Sequence, residues 1–167
     1  MSTVLVAYAT KMGSTKEIAD RIGATIAAAG LDVTVLPARE VRDVGYDAVV
    51  LGSALYARRW RPEAVRFLKR HRAALAGRPL WLFHSGPCGP DAATPQPTPA
   101  KVRRLTGVEA VSFGGRLEAA TAQGFLARKM ATGPTAGDFR DWNQIQTWAT
   151  GIATTVHREE TRAQGQH

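Results

Sequence analysis

The chain has 167 residues, 44% of them apolar, a size and composition that suit one domain with a proper core. A single cysteine, Cys88, excludes an internal disulfide and a cysteine-based metal cluster, and no apolar run reaches the length of a membrane span, so a cytoplasmic protein is expected. Lys and Arg exceed Asp and Glu by 22 to 14, and the whole surplus falls after residue 50. Between 58 and 72, Arg58, Arg59, Arg61, Arg66, Lys69, Arg70 and Arg72 face only Glu63, a concentration that would attract an anionic substrate, an acidic redox partner or an acidic membrane surface. These arginines neither alternate with stacking aromatics nor fall in a DNA-reading helix motif, so nucleic acid is not expected.

Residues 3–8 form an apolar, β-branched run suited to a central parallel strand. The polar turn Thr10-Lys11-Met12-Gly13 follows, and a helix is expected from Ser14, with Ile18, Ile22 and Ile26 on one stripe and Gly30 as its stop. Ser14 and Glu17 have the spacing of a capping box. Backbone N–H groups at a helix start lack intrahelical acceptors, and Thr10, Ser14 and Thr15 add hydroxyls beside them. The turn therefore reads as an anion cradle, with Gly13 allowing close approach and Lys11 adding charge.

Residues 31–36 alternate and end at Pro37, as an edge strand would. Residues 47–52 form a second wholly apolar strand, opening into Ser53-Ala54-Leu55-Tyr56-Ala57-Arg58-Arg59-Trp60, read as a loop. Pro62 starts a helix that presents Ala64, Leu68, His71 and Leu75 and ends at Gly77. A strand over 79–84 leads into Ser85-Gly86-Pro87-Cys88 and a proline-rich loop. A short helix over 100–105, a strand over 108–114 and a segment of uncertain structure to Gly137 come next. The last helix is capped by Asp141 and Gln144, buries Ile145, Trp148, Ala149, Ile152 and Val156, and gives way to a frayed tail over 158–167.

Strands alternating with helices imply a doubly wound α/β fold, a five-stranded parallel sheet of order 2-1-3-4-5 with helices on both faces. In that order the loops after strands one, three and four share one crevice. Tyr56 and Trp60 are aromatic candidates for stacking on a flat ligand there, and His84 is read mainly as structural.

The order Tyr8-Ala9-Thr10-Lys11-Met12-Gly13-Ser14-Thr15 resembles the T/S-x-x-G-x-T phosphate loop of flavodoxins, and the resemblance extends over about residues 2–157. It implies FMN as cofactor, its phosphate on Thr10 to Thr15. The rest of the flavin would lie against Ser53, Ala54, Leu55, Tyr56 and Trp60 and against Ser85, Gly86, Pro87 and Cys88. Within the superfamily, residues 50–55, the helix with Phe67, Lys69 and His71, the pair Gly114-Gly115 and Asp141-Trp142 resemble menaquinone-dependent protoporphyrinogen oxidases. That likeness implies a flavin-dependent oxidoreductase of heme biosynthesis, with a quinone as acceptor and Arg58, Arg59 and Arg61 as counterions for substrate carboxylates. Residues 116–137 depart from the oxidase pattern, holding Phe125 alone among aromatics. A small FMN electron carrier, and a relative that keeps the fold without flavin, remain alternative readings.

Overall fold

The computed structural model describes residues 1–86, 92–117 and 137–166. Strand β1 (Thr3–Ala9) is followed by helix α1 (Ser14–Ala28), strand β2 (Asp32–Pro37) and a 3₁₀ turn over Ala38–Glu40. Strand β3 (Ala48–Tyr56) folds back into the short β4 (Arg59–Trp60), and α2 (Pro62–Arg70) and α3 (Arg72–Leu75) come next. Strand β5 (Leu80–Ser85), helix α4 (Ala100–Thr106) and strand β6 (Ala110–Phe113) complete the sheet. A small ribbon of β7 (Arg116–Leu117) and β8 (Gly137–Asp138) precedes the long α5 (Trp142–Gly165).

The main sheet has the order β2-β1-β3-β5-β6, every neighbour in it parallel, with β4 hanging antiparallel from β3. This is the doubly wound order expected from the sequence, with its switch point between β1 and β3. Val4, Leu5, Val6 and Ala7 are fully buried because β1 is paired on both edges and covered on both faces.

Period-two alternation sends Val4, Val6 and Tyr8 to one face, against α1 and α5. Leu5, Ala7 and Ala9 go to the other, against α2 and α4. The isoleucine stripe of α1 packs as expected, with Ile18, Ile22 and Ile26 fully buried. Ile145, Ala149, Ile152 and Val156 of α5 pack in the same layer, and Asp141 caps α5 by accepting from the Gln144 N–H at 3.1 Å.

Three expectations change. The stretch 53–60 is a hairpin rather than a loop, because Leu55 pairs with Trp60 and Tyr56 with Arg59. The helix from Pro62 breaks at His71 (φ −105°), although Ala64, Leu68, His71 and Leu75 are all buried as the spacing predicts. Helix α5 continues to Gly165, past the point where a frayed tail was expected.

Gly52 shows how tightly the sheet is covered. A Cβ there would stand 1.9 Å from the ring of Phe83, which packs in turn against Phe113 and Trp148 with centroids 5.9 Å from each. The ring has no room to retreat. Gly52→Ala should therefore cost about 1–3 kcal/mol through overpacking, read as a lowered urea midpoint with an unchanged m-value.

Candidate functional site

The carboxyl ends of β1, β3 and β5 bring three segments together: Thr10–Gly13, the β3–β4 hairpin, and Ser85–Gly86. Gly13 is the N-cap of α1 in the left-handed region (φ +87°), a conformation costly for other residues, and the Thr10 hydroxyl oxygen accepts the Gly13 N–H at 3.0 Å. The turn is thereby pinned with the first N–H groups of α1 pointing out of its end. Ser14 is 8% exposed, and its Oγ is buried with no hydrogen-bond partner among the described residues. A buried hydroxyl without a partner at a helix start is a vacant donor, and it fits an anion seated on this turn.

Thr15 is fully buried, and its Oγ1 lies 2.7 Å from Ser85 Oγ. That bond ties the β1 turn to the end of β5 across β3. Thr15 and Ser85, both expected at the ligand, are thus brought together, each partly committed to the other. Lys11 and Tyr56 also meet, the ammonium standing 4.6 Å above the centroid of the phenol ring. A flat ligand stacking on that face would have to displace the lysine.

Several expected contacts take structural roles. Ser53 is fully buried, donating to the Ala54 carbonyl and accepting the Arg61 N–H at 2.9 Å, so it roots the hairpin. Trp60 is 5% exposed within the α2 layer and donates Nε1–H to His84 Nδ1 at 3.1 Å. Trp60, offered by the sequence for stacking on a flat ligand, thus packs with the α2 layer and has its N–H committed to His84. His84 Nε2, 3.1 Å from the Gln96 carbonyl, then carries the ring proton, and burial lowers the His84 pKa, keeping it neutral. Ala54 and Leu55 are half-buried, and a Cβ at Gly86 (φ +124°) would stand 3.1 Å from the Leu55 carbonyl, so β3 and the β5 turn approach closely. Met12 is half-buried in the turn, and Pro87 and Cys88 lie outside the described residues.

The three arginines expected at a substrate diverge. Arg58, with Ala57, occupies the hairpin tip at positive φ (62° and 50°), where the tight turn between twisted strands demands it. Arg59 is exposed on β4, while Arg61 pairs with Glu63 at 3.3 Å.

Sequence reasoning missed the group beside the turn. Glu17 does not close a capping box on Ser14 and instead accepts from Arg116 Nη1 (3.0 and 3.1 Å) and Arg140 Nη1 (2.5 Å). Charged hydrogen bonds of this kind outcompete a neutral cap. Arg140, with 3% side-chain exposure, also bonds Asp138 and stacks on Trp142 at 4.6 Å. Arg116 Nη2 lies 3.8 Å from where a Gly13 Cβ would stand, and its Nε is buried without a partner. A cation is therefore held against the anion turn by Glu17, 99 residues before it in the chain, a pairing visible in the sequence only as unassigned arginines near Gly115 and Gly137.

Arg140, and after it Arg116, hold the Glu17 carboxyl below its ordinary range, and Arg140 does the same for Asp138. Both groups are more acidic folded than unfolded. Their contribution is complete above the ordinary carboxylate values of 4.5 and 3.8 and is lost as pH falls through the depressed folded values. Urea midpoints should fall from pH 6 toward pH 3, and Glu17→Gln should start lower at pH 6 and lose less on acidification. An equal loss in both proteins would remove Glu17 from the account.

The flavodoxin domain family model matches residues 5–130. No curated protein matches the sequence significantly. Among solved structures, the chain is similar to rubredoxin oxygen:oxidoreductase from Desulfovibrio gigas at a TM-score of 0.65 and 14% identity, over 95% of this chain but only 37% of that longer one. It is similar to a short-chain flavodoxin associated with a PDU bacterial microcompartment (TM-score 0.63, 19% identity, 93% and 99% of the two chains). Oxidised flavodoxin 1 from Bacillus cereus aligns at a TM-score of 0.57 and 16% identity, over 89% and 95%.

Proposed function

This chain belongs to the flavodoxin domain family, and we propose that it binds FMN at the crevice between β1 and β3 and passes electrons through it to a redox partner. The observation that carries the proposal is the unpartnered Ser14 hydroxyl, buried at the start of α1 behind the left-handed Gly13. FMN, when bound, supplies the redox chemistry. The chain's own residues hold and orient. The α1 N–H groups, Ser14 and Thr10 seat the phosphate, and Arg116 adds charge to it. The Thr15–Ser85 bond fixes the distance between the phosphate turn and the β5 end, where the Ser85–Gly86 backbone would border the ring edge.

Family membership and the flavodoxin likenesses support electron transfer, and the protoporphyrinogen oxidase reading is finer than they carry. That finer reading rests on the sequence resemblance and on the basic residues of the hairpin and α2. Quinone use and a place in heme biosynthesis rest on the same resemblance. The net charge of +8 favours acidic partners whichever reading holds. No described helix is long and apolar enough to cross a membrane.

The purified chain should take up FMN and turn yellow. Ser14→Ala should weaken FMN by about tenfold, the worth of one hydrogen bond to a charged group, and leave riboflavin binding unchanged. Equal losses for both ligands would move the phosphate elsewhere, and no uptake of either would end the redox reading. Turnover of protoporphyrinogen with a quinone, set against reduction by a flavodoxin reductase, separates oxidase from carrier.

A further inference from the structure

Helices α2 and α4 lie side by side on the sheet face away from α1, and a groove of about 570 Å³ opens between them. Its apolar lining includes Pro62, Val65 and Val102, with the edge of the buried Trp60. Its charged lining is Arg59 from β4, Arg66 and Lys69 from α2, and Lys101 from α4, and no described lining residue is acidic. The nearby carboxylates are engaged elsewhere, Glu63 with Arg61 and Glu109 with Arg103 at 2.5 Å.

The convergence follows from the helices' own geometry. Pro62, Val65, Arg66 and Lys69 recur at three- and four-residue spacing, so one stripe of α2 faces α4. The packing that buries Val102 on α4 leaves Lys101 to line the groove opposite that stripe, with Lys69 on the other wall. The neighbouring Lys69 lowers the Lys101 pKa. Four cations gathered in one concavity repel each other, and an anion between them relieves the repulsion.

We propose that this groove binds a small organic anion carrying two acidic groups, carboxylate or phosphate, on an apolar body. The volume lies within the range of about 300–1,000 Å³ usual for small-molecule sites, and a lining of valine and proline rimmed by a few charges is how such sites are built. A solvated basic face would need no concavity and no apolar floor. An extended nucleic acid would need exposed stacking rings, and the one aromatic side chain lining the groove, Trp60, is buried with its N–H given to His84. The site is separate from the phosphate turn and stands whether or not FMN is bound there.

Isothermal titration of the full chain with naphthalene-2,6-dicarboxylate tests this, with the monoanion 2-naphthoate as comparison. One saturable site is expected, at least about tenfold tighter for the dianion and weakening as salt rises. Lys69→Ala/Lys101→Ala, on two exposed side chains away from the flavin turn, should weaken the dianion by about tenfold or more and leave FMN uptake unchanged. Undiminished affinity in the double variant would overturn the proposal, as would the absence of a saturable site. Binding of polyglutamate without binding of the dicarboxylate would also overturn it, since the groove would then belong to a protein docking surface.

Discussion

The structure depends on the double pairing of β1. With β2 on one edge and β3 on the other, the backbone from Val4 to Tyr8 is paired on both sides within the sheet, and the side chains of Val4 to Ala7 are left free to be wholly apolar. Because the chain leaves β1 toward β2 and returns on the opposite side as β3, the turns after β1 and β3 are parted at the carboxyl edge and a crevice opens between them. The crevice is thus a consequence of strand order, with no special feature needed to create it.

What turns that crevice into a shaped site is a small set of buried polar ties. Thr15 with Ser85, Ser53 with the Arg61 N–H, and Trp60 with His84 each tie together two separate segments of the chain. A buried donor or acceptor without its partner is costly, so these pairs set distances between turns more firmly than apolar contacts, which tolerate sliding. Ser14 stands out against them as a buried hydroxyl left unpaired, at the end of α1 that carries free N–H groups.

The basic residues divide into two states. Arg116 and Arg140 pair with Glu17 and Asp138, and those pairs hold the β7–β8 ribbon against the start of α1. The cations of the α2–α4 groove have no described carboxylate beside them in the groove. Net charge alone does not distinguish the two groups. The distinction is whether folding delivers an acidic side chain to each arginine or lysine, and Glu17 is delivered to arginines 99 and 123 positions away in the chain.

Local pattern determined a great deal of this protein. The isoleucine stripe of α1, the burial of Ala64, Leu68 and His71, the Asp141 cap and the strand order all follow from periodicity, turn residues and the handedness of crossovers, which act over a few residues or through connectivity. The glycine turn at Thr10–Gly13 was legible for the same reason. Tertiary structure alone decided whether Trp60 would be platform or core, whether 53–60 would be loop or hairpin, and whether Glu17 would cap its helix or bind two distant arginines. Each of these is a competition between a local partner and one brought by folding. The distant partner wins where it buries a larger ring or makes a charged hydrogen bond, and neither gain can be read from residues that are neighbours only in sequence.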